Sequence, residues 1–312
     1  MGTKQSKAED ELWVFEEINP GFFRVAIKFP VAMGMVDIGS HMGLIRLESG
    51  KFIAIDTVDP NLSIPFNGRA GDIKHDIDLL TENGNLLEAV IATHPYHTLY
   101  FPPFYAMYPD AKYYGTPRHL RVQTDIPWVG SVADAEVLAL YEPEIQMRFP
   151  PRCSAEFDNP LPPASNHFSN TVVLSKGVLF NDDLLMYLEN PKNRIGFIAS
   201  VLAGLRHDSL LFHISMYKVG LRHTPDSAPK FIAWLEKLLG DWDFEVIASA
   251  HNGVLKTNAK ARLGALLEEE RPKLMEFAEQ YANAAKEEEG KAAADSVENG
   301  AWSSEPGKIE CG

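Results

Sequence analysis

At 312 residues with a formal net charge of −14, the chain is long enough to bury one large core or two small ones. That acidity argues against a nucleic-acid binder, which needs a basic face, but not against a small anionic substrate, because a bound cation inverts local charge. Two cysteines, Cys153 and Cys311, make no disulfide framework and suit a reducing compartment. No stretch reaches the ~20 apolar residues that span a bilayer.

The first residues, Met1-Gly2-Thr3-Lys4-Gln5-Ser6, fit the N-myristoylation pattern, with Gly2 as the acylated position. A loose polar terminus over residues 1–11 that happens to match is the plainer reading. One acyl chain gives only marginal, reversible membrane binding, and Lys4 and Lys7 are offset by Glu9, Asp10 and Glu11. The expectation is a cytoplasmic protein, with peripheral membrane association through a Gly2 myristoyl group as the lipidated alternative.

From Trp13 to Asp56 the pattern is β, with Phe23, Val25 and Ile27 alternating with polar residues and Ser49-Gly50 reading as a hairpin turn. Gly39-Ser40-His41-Met42 looks like a cloning scar, but it sits inside a strand pattern and reads as native. Ile73 to Asn83 reads as a helix stopped by Gly84, Leu86 to Thr93 as a strand, and Phe104 to Tyr108 as a short helix. Lys112 to Gly115 reads as a strand and Pro117 to Val122 as another helical turn. Glu144 to Arg148 reads as a strand, and Val172–Leu174 with Val178–Phe180 as a hairpin. The apolar stretch 192–215 reads as helix with a break near His207-Asp208. Ala228 to Leu239 is amphipathic, with Phe231, Trp234, Leu235 and Leu238 inward. Phe244 to Ala248 reads as a strand, and Thr257 to Ala285 as helix interrupted at Pro272. The charged stretch 286–312 has almost no apolar surface to bury and is expected to be disordered, which leaves residues 12–285 as the folded domain.

The chemistry concentrates where apolar runs end. Ala89 to Ala92 stops at Thr93-His94-Pro95-Tyr96-His97, and further polar groups close later segments at Asn166-His167, Asp182-Asp183 and His251-Asn252-Gly253. In layered α/β proteins, sites gather at the carboxyl ends of strands.

These segments resemble the metallo-β-lactamase superfamily, in the family's order, over roughly residues 20 to 256. Its Thr-His-x-His-x-Asp-His signature is kept at Thr93 and His94 and altered at Tyr96, Thr98 and Leu99. Ala164 to Thr171 is similar to the segment that delivers a further zinc histidine, here His167. Gly177 to Leu184 is similar to the strand ending in the metal-bridging Asp, here Asp183. Val246 to Gly253 is similar to the strand carrying the final histidine, here His251. Gly43–Leu47 and Phe52–Thr57 resemble the opening hairpin.

The resemblance implies an α/β fold of the αββα sandwich type, with mixed sheets flanked by helices. It also implies one zinc or iron ion, because the losses at Tyr96, Thr98 and Leu99 remove too many ligands for a dinuclear centre. The ligand candidates are His94, His97, His167, Asp183 and His251, with Asp183 and Tyr96 the candidate catalytic groups and Tyr96 or His97 a stabiliser of a developing oxyanion. Each has a duller reading, since a histidine at a strand end is usually a hydrogen-bonded structural residue and Asp183 or Asp182 could cap a helix starting near Leu184. His119, His207, His213 and His223 match no motif and read as surface or core residues.

Three functions stay open at this point. The first is a metal-dependent hydrolase acting on a small ester, lactone, amide or thioester. The second is a metal-free pseudoenzyme that binds a small ligand or partner. The third is a membrane-recruited scaffold.

Overall fold

A computed structural model describes residues 12, 14–31, 36–37, 39–66, 69–151, 170–189, 208–213, 216–250 and 253–300. Gly2, Cys153, His167, His251 and Cys311 lie outside the described residues, as do the terminal segment 1–11 and residues 192–207 of the apolar stretch 192–215.

The chain opens with β1 (Glu16–Asn19) and β2 (Phe22–Ile27), a small hairpin of β3 (Pro30–Val31) and β4 (Val36–Asp37), then β5 (Ser40–Arg46) and β6 (Phe52–Ile55). A second small hairpin, β7 (Ser63–Phe66) and β8 (Arg69–Asp72), leads into helix α1 (Ile73–Thr81). Strand β9 (Leu87–Ile91), helix α2 (Phe101–Met107), β10 (Lys112–Gly115), α3 (Pro117–Val122), β11 (Trp128–Ser131) and the short α4 (Ala135–Leu138) follow. Strands β1-β2-β5-β6-β9-β10-β11, in that order, form the first sheet. It is antiparallel from β1 to β6 and parallel from β6 onward.

The second sheet takes β12 (Gln146–Arg148), β13 (Val172–Ser175), β14 (Val178–Asn181), β17 (Val246–Ser249) and β18 (Val254–Leu255), with β14 and β17 parallel. A separate hairpin, β15 (Leu185–Leu188) with β16 (Ser209–Phe212), lies between β14 and β17 in the chain. Helices α5 (Ser227–Asp241) and α6 (Ala259–Gly300) complete the fold.

The period-2 alternation of each strand sorts its side chains into separate cores. In β2, Phe22 faces the second sheet while Phe23 faces the helix layer of α1 and α2; in β6, Ile53 and Ile55 face inward and Ala54 outward. Val173, Phe180, Val246 and Ala248 supply the other wall of the inner core, whereas Leu179 and Ile247 point the opposite way onto α5 and α6. The result is helix, sheet, sheet, helix, the αββα sandwich expected above. Gly43 on β5 matters to the inner layer. A Cβ there would lie 3.1 Å from Phe180 and 3.2 Å from Phe22, so the absent side chain lets the two sheets approach.

Four expectations need correction. Residues 209–212 form a strand and not a helix, because Leu185–Leu188 offers an antiparallel partner that a local pattern cannot reveal. Asp183 therefore caps no helix: the chain enters β15 directly. Pro272 does not break α6. The ring forgoes one hydrogen bond, while Leu263, Leu266 and Leu267 before it and Leu274, Phe277 and Ala278 after it pack on the same core and hold both halves in line.

Residues 286–300, expected to be disordered, continue α6. A helix already nucleated by its packed half propagates cheaply through Ala-, Glu- and Lys-rich sequence. Residues 301–312 lie outside the described residues.

Leu235 is fully buried on the inner side of α5, against the second sheet. Leu235→Ala is expected to lower unfolding free energy by about 2–5 kcal/mol in a denaturant titration, and Leu62→Ala at its exposed position by less than about 0.5 kcal/mol.

Candidate metal centre

The topology brings particular strand ends together. Strands β6 and β9 run parallel, so Asp56, Thr57, Thr93 and His94 all leave the first sheet at one edge. Strand β5 is antiparallel to β6, so His41 at its beginning reaches the same edge. Across the interface, β14 ends in Asn181-Asp182-Asp183, and Thr171 donates its backbone N–H to the carbonyl of Thr93 at 3.0 Å. His41, Asp56, Thr93, His94, Asp182 and Asp183 are all buried, while His97 is 24% exposed.

One group stands out. A nitrogen from each of His94 and His97 and a carboxylate oxygen of Asp183 lie within 4.8 Å of one another. His94 Nε2 is 3.4 Å and His97 Nε2 3.7 Å from Asp183 Oδ2. Metal–ligand bonds of about 2.1 Å set ligand atoms about 3.4 Å apart along a tetrahedral edge. The separations are therefore close to those of ligands facing a common ion and long for direct hydrogen bonds. The donor set, two imidazoles and one carboxylate, suits zinc and iron alike.

Electrostatics point the same way. Asp56, Asp182 and Asp183 bury three carboxyl groups close together. The hydroxyl of Thr93 is within hydrogen-bonding reach of Asp56 Oδ2 and 2.5 Å from Asp182 Oδ2. One hydroxyl proton cannot serve two carboxylates, so a second proton must reside here. Burial and the neighbouring Asp182 push the Asp56 carboxyl well above the usual carboxylate range, which assigns that proton to Asp56. Its other oxygen accepts the backbone N–H of Thr93 at 2.9 Å.

Asp182 keeps its charge. Burial acts to raise its pKa, but the charge of His97 and the long polar contacts from His41 and His97 outweigh burial and hold it well below the usual range. His97 answers in kind. Burial acts to lower its pKa, and Asp182, Asp183 and Asp56 together raise it to about 10. In the metal-free protein the His97 proton thus stands where a cation is wanted.

The ring of His97 is held from two sides. Its Nδ1 faces Asp182 Oδ1 at 3.5 Å while Nε2 faces Asp183. Its carbonyl meets His119 Nε2 at 3.2 Å, and His119 Nδ1 lies 2.8 Å from the Thr116 hydroxyl. Burial lowers His119 to about 4, so it is a neutral pin behind the loop. His94 Nδ1 accepts the N–H of Tyr96 at 3.2 Å, which leaves the neutral ring with its proton on Nε2, toward Asp183.

Beside His97 lies a pocket of 70 Å³ lined by Phe29, Thr57, Tyr96, Leu99 and Tyr100. The guanidinium of Arg118 sits 4.8 Å above the Tyr96 ring.

Of the residues proposed from sequence, the structure brings His94, His97 and Asp183 together and sets Tyr96 at the adjoining pocket. His167 and His251 lie outside the described residues. Leu99, at a signature histidine position, is 61% exposed and contributes no ligand. Sequence reasoning passed over His41, Asp56 and His119 as site components, kept Thr93 only as a signature position, and left Asp182 open between a polar group at a strand end and a helix cap. The only local signal was that Asp56 and Thr93, like Asp182, immediately follow apolar strands.

No protein-family model and no curated protein sequence matches this chain. Solved structures do. VMB-1 superposes with a TM-score of 0.50 at 12% identity, over 83% of this chain and 97% of its own. The metallo-β-lactamase FIM-1 from Pseudomonas aeruginosa, in a mono-zinc form, gives a TM-score of 0.48 at 11% identity, over 83% and 96%. A metallo-β-lactamase from Hirschia baltica gives 0.48 at 10% identity, over 82% and 98%. At such identities the likeness is one of fold alone.

Below pH about 10 a cation must displace the His97 proton. Zinc affinity is therefore expected to rise about tenfold per pH unit toward that value, with about one proton released per ion bound, beyond any released by the buffer or the ion's own water. Calorimetry in buffers of differing ionisation enthalpy measures the release. In the metal-free protein the sign for stability is opposite. A raised folded-state pKa adds stability that is complete below the ordinary histidine value of 6.5 and is lost as pH rises toward 10.

Proposed function

We propose that this chain, which carries the metallo-β-lactamase fold, is a metal-dependent hydrolase with one ion held by His94, His97 and Asp183. The observation that carries the reading is the spacing of those three ligand atoms in a buried site with excess negative charge. Two histidines and a carboxylate leave a coordination position for water, as catalytic sites require and closed structural sites do not. Bound there, a zinc or iron ion supplies Lewis acidity and lowers the pKa of water toward ~7.

The residues of the chain divide the remaining work. Asp182 Oδ1 faces His97 Nδ1 at 3.5 Å, and its charge on that side directs Nε2 at the ion site. Asp56 and Thr93 hold a proton away from Asp182, so that Asp182 stays anionic. Tyr96, Leu99 and Tyr100 offer an apolar wall for the acyl or alcohol portion of a small ester, lactone, amide or thioester, and exclude water from it. Thr57, whose hydroxyl is buried and meets no partner among the described residues, offers that substrate a hydrogen bond.

Protein purified without chelator is expected to carry about one equivalent of zinc or iron by elemental analysis. Asp183→Asn and His94→Ala are each expected to lower the metal content and to cost at least about 100-fold in hydrolysis of a responsive ester or lactone. Substoichiometric metal, with no binding when zinc or iron is added back, overturns the reading.

One contact favours a metal-free ligand-binding protein instead: the Tyr96 N–H directed at His94 Nδ1, which suits a ring protonated on Nε2. Nitrogen-15 spectra of the His94 ring separate the two. Under the hydrolase reading, added zinc moves the proton from Nε2 to Nδ1 and the Tyr96 amide signal shifts; a ring that keeps its Nε2 proton at saturating zinc supports the alternative.

A further inference from the structure

Behind Asp182 a polar chain crosses the otherwise apolar inner layer. Arg24, on β2, is 8% exposed, and its guanidinium donates to the carbonyl of Ser249, at the end of β17, at 3.1 Å. Its Nε–H donates to His41 Nδ1 at 3.0 Å. That bond determines the state of His41. A ring nitrogen that accepts from a guanidinium cannot itself carry a proton, so the proton of the neutral ring is on Nε2. His41 Nε2 in turn faces Asp182 Oδ1 at 3.5 Å, and the ring lies flat on Phe180, with centroids 4.1 Å apart and planes 15° from parallel. The stack and the Arg24 bond leave the imidazole one orientation, with its N–H directed at Asp182.

Asp182 is where this chain meets the ion site. Oδ2 takes the Thr93 hydroxyl, and Oδ1 stands between His41 Nε2 and His97 Nδ1, 3.5 Å from each. Without His41, Oδ1 is addressed from one side only and the carboxylate can turn about its Cβ–Cγ bond. The backbone of His97 is held by its N–H to the His94 carbonyl and by its carbonyl to His119, each at 3.2 Å, which leaves rotation of the ring about its side-chain bonds to be set by Asp182 and Asp183. Stability does not explain the arrangement, because buried charged networks seldom outperform apolar packing of the same volume. What it provides is a single geometry.

We propose that Arg24 and His41 are positioning residues for the ion site, acting through Asp182 on the ring of His97. The inference rests on the reading of His94, His97 and Asp183 as the ion-holding group, and it takes in residues from strands β2 and β5 that contact neither ion nor substrate. Outer partners that orient a metal-binding histidine typically contribute about 10–100-fold to affinity.

The test replaces one half of the imidazole at a time. Gln at position 41 sets an N–H near the Nε2 position and retains the contact to Asp182. Asn sets an oxygen near the Nδ1 position and retains only the contact to Arg24. His41→Gln is therefore expected to bind zinc close to the parent, and His41→Asn and His41→Phe about 10–100-fold more weakly in chelator competition. Arg24→Met is expected to weaken binding in the parent background and to add little on top of His41→Phe, because the arginine acts through the histidine.

The second readout needs no metal. In the metal-free protein, the nitrogen-15 signals of the His97 ring are expected to shift in His41→Asn and His41→Phe and to stay in place in His41→Gln. Equal zinc affinities and equal His97 signals for the Asn and Gln variants overturn the proposal. If the Phe variant does not fold, the Asn and Gln pair still decides. If the parent binds no metal, the hydrolase reading falls, and the His97 signals alone decide whether His41 positions that ring.

Discussion

Three carboxyl groups buried at one seam are the constraint around which this structure is organised. Asp56, Asp182 and Asp183 come from different strand ends and meet where little water reaches them. Unpaired buried charge is expensive, so the surroundings must supply positive charge or protons. Asp56 retains a proton against the Thr93 hydroxyl, His97 takes up another, and Arg24 brings a permanent charge across the inner layer through His41. A divalent ion between His94, His97 and Asp183 answers the same demand more completely than the His97 proton does.

The sandwich creates those conditions. Its two sheets pack through an apolar layer of Phe22, Ile53, Ile55, Val173, Phe180 and Val246, which keeps the dielectric low directly beneath the site. Parallel pairing of β6 with β9, and of β14 with β17, directs strand ends toward one edge of each sheet. The approach of the sheets at Gly43 brings His41 of the first onto Phe180 of the second. Low dielectric strengthens each polar contact made there and penalises each one left unmade, so the site tolerates few arrangements.

Much of this organisation is legible along the chain. Alternation of apolar residues marked β2, β5 and β6, and apolar runs ending in His94 and in Asp182-Asp183 marked the strands that deliver the site. The spacing of His94 and His97 across Pro95 is local, and the loop does turn both rings to one side, with centroids 4.3 Å apart. Where local pattern misled, a distant partner was responsible. Residues 209–212 have the composition of a helix segment and become a strand because Leu185–Leu188 completes their hydrogen bonds. Residues 286–300 lack a core of their own and remain helical as the continuation of a packed helix. Pro272 reads as an interruption and is overruled by the apolar residues packed on either side of it.

By itself the sequence determined which faces of the strands are apolar, and hence the layering, because burial is written in the period of the side chains. It also determined which polar residues terminate those strands. Only the tertiary structure decided which of them meet. Arg24 and Ser249 are 225 positions apart, and Thr93 and Asp182 are 89 apart. No local signal separates His41 from a solvent-facing strand residue, or Asp182 from a helix cap. Their roles follow from the order of strands in two sheets and from the charge that order buries, and strand order is a property of long-range pairing, which no short window of residues contains.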